Sequence, residues 1–186
     1  MNTFKRIFAV ALIALSSQVG FAQMEKTVMV GGAAMYPSKN IVENAVNSHD
    51  HTTLVAAVKA AGLVETLQSA GPFTVFAPTN AAFGLLPAGT VETLVKPESK
   101  ATLTGILTYH VVAGKFNAKE IAKLIKQGGG QAAIKTVAGG TLTATMKGNK
   151  LSLTDESGNV ANVTIKDVKQ SNGVIHVIDH VLLPKM

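Results

Sequence analysis

From Phe73 to Phe83 the chain reads Phe-Thr-Val-Phe-Ala-Pro-Thr-Asn-Ala-Ala-Phe, and this stretch restricts the fold most tightly. In an extended strand Thr74 and Phe76 project to one face, and Phe73, Val75 and Ala77 to the other. Both faces are largely apolar, so the strand needs cover on both sides. Pro78 has no N–H for a sheet ladder and biases Ala77 towards extended geometry, so it marks a corner. Thr79 or Asn80 then offers a side-chain oxygen to cap the next turn, which carries Ala81, Ala82 and Phe83 inward.

A second stretch of this kind lies near the other end. Asn172 to Pro184 reads Asn-Gly-Val-Ile-His-Val-Ile-Asp-His-Val-Leu-Leu-Pro. Ser171, Asn172 and Gly173 form a turn signal. Both faces of Val174 to Leu183, including Ile175 and Ile178, are apolar, which predicts an interior strand.

Helical periods dominate the chain before Phe73. Ile41, Val42, Ala45 and Val46 repeat at helical spacing. Leu54, Val55, Val58 and Ala61 form a stripe, with Asp50 as its expected N-cap and Gly62 as its stop. Leu63 to Ser69 makes a further short helix. After Phe83, Val91, Leu94 and Val95 suggest a short helix, and Pro97 suits a helix start ahead of Leu103, Ile106 and Leu107. Asn117 with Glu120 reads as a capping box, followed by Ile121, Leu124 and Ile125 as a buried stripe. Lys119, Lys123 and Lys126 of that helix face water.

Beyond Gly128-Gly129-Gly130 the period becomes two. Thr141 to Lys147 and Leu151 to Thr154 alternate around Gly148-Asn149, a hairpin signal. Val160 to Val168 is another strand. Helices first, one covered strand in mid-chain and a run of strands afterwards argue an α+β fold.

These segments carry a family resemblance. Phe73–Phe83 and Asn172–Pro184 resemble the two signature segments of the fasciclin domain. Between them Leu107-Thr108-Tyr109-His110-Val111-Val112 is similar to that family's Tyr-His segment. Three motifs in order, over roughly residues 38 to 184, identify the chain as a member. The resemblance implies a wedge-shaped β-sandwich with several short helices packed along one side. It also implies that the Phe73 strand meets the last strands across a long gap. The structural motif residues on this reading are Phe73, Val75, Phe76, Ala77, Pro78, Thr79, Asn80, Phe83, Asn172, Gly173, Ile175, His176, Ile178 and Asp179.

The N-terminus has the layout of a secretory signal. Lys5 and Arg6 precede a short apolar run from Ile7 to Leu15, and Gly20-Phe21-Ala22 places small residues before a cut after Ala22. A spanning helix needs about 20 apolar residues, which this run does not reach. The expected layout is a signal peptide over 1–22, a linker over 23–37 and one domain over 38–186. The product is exported, to the periplasm or beyond, with no membrane span left after cleavage.

Charge and chemistry narrow the function. The formal charge is +6. Without Lys5 and Arg6 it is +4, from 15 lysines against 11 acids. No arginine remains to read phosphate or guanine with a planar fork, and the lysines are dispersed, which argues against a nucleic-acid partner. Attraction to acidic surfaces or polysaccharides stays open. There is no cysteine, hence no disulfide and no thiolate. No nucleophile elbow or phosphate loop is present, so no catalytic residue and no cofactor is expected.

The histidines admit bland readings. His49 and His51 flank Asp50, a weak metal signal that also suits a solvated cap. His176 and His180 would stand roughly 13 Å apart on a straight strand, too far to share an ion. His176 reads as a hydrogen-bonded core residue, Asp179 as a turn or capping acid, and His180 as nearer an edge. No metal site is expected.

For Leu107, Tyr109, His110, Val111 and Val112 two readings stand. In adhesive animal fasciclin proteins the Tyr-His segment is linked to integrin binding. The same apolar flanks suit a buried helix-to-strand junction. Function therefore divides into three hypotheses. The first is a non-catalytic binding and cell-adhesion module for a cell-surface or matrix protein or polysaccharide. The second is a carrier of a small apolar ligand, a pigment or lipid, in a groove near Leu85, Leu86, Val112 and Met146. The third is a hydrolase or a metal-dependent enzyme, with His49 and His51 as the candidate metal ligands.

Overall fold

The structure is a computed structural model that describes residues 26–185. The expected signal peptide lies outside the described residues. The chain opens with a hairpin of β1 (Val28–Val30) and β2 (Ala33–Met35). The helices α1 (Ile41–Ala45), α2 (Thr52–Ala61) and α3 (Val64–Gln68) follow. Strand β3 (Phe73–Pro78) leads into α4 (Asn80–Gly84), α5 (Thr90–Leu94) and α6 (Lys100–Tyr109). Next come β4 (Val111–Ala113), α7 (Ala118–Gln127), and β5 (Gln131–Lys135), β6 (Thr141–Lys147), β7 (Lys150–Thr154), β8 (Val160–Gln170) and β9 (Gly173–Ile178).

The α+β expectation holds. Seven strands form one sheet in the order β4-β3-β9-β8-β7-β6-β5. The long strand β8 joins its wings: Val160 to Asn162 pair with β7, and Val163 to Gln170 with β9. The expected meeting of the distant motifs is a parallel pair running from Phe73 opposite Gly173 to Pro78 opposite Ile178. Only a residue without a side chain fits at Gly173, since a Cβ there would lie 2.1 Å from the Phe73 carbonyl oxygen. Pro78 ends β3, as its missing donor requires.

The two faces of β3 enter two cores. Val75 and Ala77, with Ile175 and Val177 of β9, pack against helices α1 to α4 and α6. Phe76, Val112 and Ile178 face the other way, into a core closed by β5 to β7 and by Ile121 and Ile125 of α7. So α7 covers a different core from the other helices, because its buried stripe follows the sheet's second wing.

Five expectations differ in detail. The stretch expected as a linker contains the β1–β2 hairpin, which buries Val30 and Met35 in the helix-side core and is tied to the body by His49 N–H to the Gly31 carbonyl at 3.0 Å. Two apolar anchors outweigh the Gly-rich composition. Strand β5 has no counterpart in the sequence reading; its Ala132 and Ile134 face inward opposite β6, in a segment with little β-branched content. Leu124 is exposed on α7 rather than buried. The last strand stops at Ile178, and the backbone bends at Asp179 and His180. Asp50 does not cap α2, because a 3-10 turn over His49–His51 intervenes.

Candidate functional site

The signature residues act as joints between helices and strands. Thr79 caps α4 through Ala82 N–H. Asn80 reaches across to α2: its Oδ1 accepts Thr53 N–H at 2.9 Å, and its Nδ2 donates to the His49 carbonyl and Thr52 Oγ1. This supplies, from 27 residues away, the cap that Asp50 was expected to give. Asn172 is buried and joins three chain segments. It accepts Ile41 N–H at the start of α1 and donates to the Leu67 and Ser69 carbonyls at the end of α3.

His176 is fully buried, as expected. Its Nε2 faces the Phe116 carbonyl at 2.9 Å, its Nδ1 accepts Asp167 N–H, and its ring stacks on Phe76. Asp179 accepts from Asn162 backbone and side chain and from exposed His180. Burial works against its ionisation, but the hydrogen bonds from His180 and Asn162 outweigh that and hold its carboxyl below the usual value.

The Tyr-His segment lies inside the molecule. Leu107, Tyr109, His110, Val111 and Val112 are all buried, Tyr109 with no exposed surface at all. In this conformation none of the five offers its side chain to a macromolecular surface. The Tyr109 hydroxyl donates to the Thr141 carbonyl and accepts Glu156 N–H. Its ring runs over Gly140, where a Cβ would sit 2.6 Å from Cε2. Burial raises its pKa. His110 Nδ1 donates to the Ile106 carbonyl, and Nε2 accepts Leu182 N–H, which fixes one neutral tautomer. Burial drives its pKa down to about 4.

The candidate metal residues do not assemble. His51 is buried and pairs its Nδ1 with Ser48 Oγ at 2.9 Å, whereas His49 and Asp50 are exposed. Among the described residues no three metal-binding side chains converge.

The groove expected around Leu85, Leu86, Val112 and Met146 does not form either. Leu85 is exposed, Leu86 packs on the helix-side core, and Val112 and Met146 belong to the other core. An apolar cavity of about 50 Å³ lies elsewhere, between helices α1, α2 and α3 and the helix-facing side of β3 and β9. Its floor is Val75, Ala77 and Ile175; its rim includes half-buried Val42, Val55 and Val64 and exposed Lys59. The sequence held the helical stripes that build it but no sign that they leave a gap.

On the outer surface Lys119, Lys123 and Lys126 are exposed on α7, at spacings of four and three that put them on one face. Lys115 is exposed just ahead of that helix.

The model of the fasciclin domain matches residues 49–184. The chain belongs to the fasciclin domain family. This fasciclin protein is 50% identical over 171 residues to Protein sll1483 of Synechocystis sp., covering 90% of this chain and 88% of that one. It is 39% identical over 145 residues to immunogenic protein MPB70 of Mycobacterium bovis, covering 75% and 66%. In structure it is similar to a FAS1 domain pair from the insect cell adhesion molecule fasciclin I. The TM-score is 0.71 at 17% identity, over 86% of this chain and 58% of that one, a likeness of fold. Among the described residues no helix is long and apolar enough to cross a membrane.

Proposed function

We propose that this chain is an exported, non-catalytic fasciclin-type binding module, freed by cleavage after Ala22, that contacts an acidic cell-surface or matrix component. The observation that carries this reading is the lysine face of α7, on a domain whose polar signature side chains Thr79, Asn80, Asn172 and His176 are engaged in internal hydrogen bonds. Three ammonium groups on one helix face supply long-range attraction without the rigid fork that selects phosphate pairs. The fold's likeness to a cell adhesion molecule supports contact rather than turnover. Retention of the purified protein on its own cell-envelope fraction, with release as salt rises from 50 to 500 mM, tests it (on the order of a Debye-length change from 14 to 4 Å). Retention that is indifferent to salt overturns the acidic-partner assignment.

A second reading, a carrier of a small apolar ligand, is favoured by the cavity beneath α1 to α3. Extraction of the purified protein followed by mass spectrometry tests it. A protein that is empty under several growth conditions counts against carriage.

A further inference from the structure

The outer side of α7 carries more than lysines. An open groove of about 250 Å³ is lined there by Lys115, Phe116, Glu120, Lys123, Leu124 and Gln127. Glu120, Lys123, Leu124 and Gln127 follow the spacings of three and four that share one helix face. Phe116 and Leu124 give the lining its apolar part: Leu124 is exposed, and Phe116 is half-buried against the core closed by β5 to β7. The Phe116 backbone is fixed on both sides. Its N–H donates to Thr74 Oγ1 at 2.8 Å, and its carbonyl faces His176 Nε2 at 2.9 Å. The aromatic residue is thus positioned before any partner arrives, which lowers the ordering cost of binding. Lys115 and Lys123 are exposed beside it. Glu120 is the one acid of the lining. Its Oε2 accepts Asn117 N–H at 2.8 Å within the capping box, which leaves Oε1 as an acceptor.

We propose that this groove binds one or two units of a polyuronate, an acidic polysaccharide with a carboxylate on each sugar ring. This rests on the acidic-partner reading and names the partner class. Each side of a uronate has a counterpart in the groove. The C–H face of the ring lies on Phe116 and Leu124, where the negatively polarised face of the aromatic ring suits it. The carboxylate meets the Lys115 or Lys123 ammonium, and the hydroxyls reach Glu120 Oε1 and the Gln127 amide. Size agrees. Pockets that bury drug-sized ligands measure roughly 300–1,000 Å³, so a smaller and open groove seats a short part of a long chain. Other anionic occupants lack this match. A peptide that adds a strand needs free backbone groups, and those of Phe116 are committed inward. A lipid surface is broad and flat, and its phosphates would confront Glu120.

The test titrates the purified protein at neutral pH and low salt with trigalacturonate, its fully methyl-esterified form and triglutamate, following backbone amides by ¹⁵N NMR. Trigalacturonate should shift the amides of Phe116, Lys123 and Leu124. The uncharged ester should bind about tenfold more weakly, through loss of two exposed ion pairs. Triglutamate carries the charges without a ring face and should bind about fivefold more weakly, the worth of about 40 Å² of apolar contact. Leu124→Gln, confirmed folded by its melting curve, should weaken trigalacturonate about threefold and leave triglutamate unchanged. Triglutamate binding as tightly as trigalacturonate overturns the sugar assignment. Shifts confined to residues outside α7 overturn the groove. No trigalacturonate binding, with envelope retention still released by salt, overturns the polyuronate and leaves the acidic-partner reading standing. No binding together with retention indifferent to salt overturns both.

Discussion

His110 accepts Leu182 N–H through Nε2 at 3.0 Å while its Nδ1 sits 2.9 Å from the Ile106 carbonyl. The ring thus pins the segment after β9 to the end of α6 from inside, and it does so only as a neutral imidazole. A proton on Nε2 would set two N–H groups against each other. The folded pKa, about 4, lies below the unfolded value of 6.5, so the unfolded chain binds the proton first. The stabilisation is complete above pH 6.5 and is lost as pH falls towards 4. Over that window His110 alone withdraws on the order of 3 kcal/mol. Burial lowers the pKa of His51 and His176 too, so their contributions have the same sign. Urea unfolding at half-unit steps from pH 7.5 to 4 should show a falling midpoint. A folded His110→Gln protein should show a shallower fall, and an unchanged midpoint in the unaltered protein between pH 7 and 4.5 refutes the assignment.

Asn172 should be among the most sensitive positions outside the apolar core. Asn172→Ala leaves Ile41 N–H and the Leu67 and Ser69 carbonyls without their partner. A loss of about 3 kcal/mol is expected. Asn172→Asp should be no milder at pH 7, because a carboxylate would confront two carbonyl oxygens. Denaturant unfolding measures both, and a loss below 1 kcal/mol for the alanine variant would show that water replaces these bonds.

Tyr109 separates core from contact. Tyr109→Phe keeps the ring and removes the hydroxyl between the Thr141 carbonyl and Glu156 N–H, at a cost of about 1–2 kcal/mol. Tyr109→Ala empties a fully buried site and should cost about 3–5 kcal/mol. Envelope binding by the phenylalanine variant should match the unaltered protein once both are folded. Weaker binding by a folded Tyr109→Phe protein would return the Tyr-His segment to the contact site.

The lysine face gives the complementary experiment. Lys119→Glu, Lys123→Glu and Lys126→Glu together change exposed side chains only, so the melting temperature should move little. Retention on the envelope fraction should fall at least tenfold at low salt. Full retention by the triple variant would place the contact elsewhere.

The residues that read correctly from sequence are those whose signal is local. Asn117 and Glu120 form both halves of the expected capping box. Lys147 and Lys150 pair across the Gly148-Asn149 turn. Val75 and Phe76 enter opposite cores, because side chains alternate along a strand. The misread positions depend on something distant. Asp50 had the chemistry of a cap, but Asn80 occupies that role from another element. Val30 and Met35 sit among glycines in sequence and become anchors only where the helix-side core receives them. Leu124 keeps helical spacing, yet it lies at the edge of the buried stripe and stays 36% exposed.

Sequence by itself determined the α+β pattern, the family and the two segments that had to be covered on both faces, since periodicity and missing donors act within a few residues. Tertiary structure alone decided that Tyr109 and His110 are interior, that Asn172 joins three segments, and that His51 is buried on the lining of the cavity beneath α1 to α3. Those facts depend on which surfaces meet across as many as 131 residues, and a hydrogen bond over such a distance leaves no periodic trace in the chain.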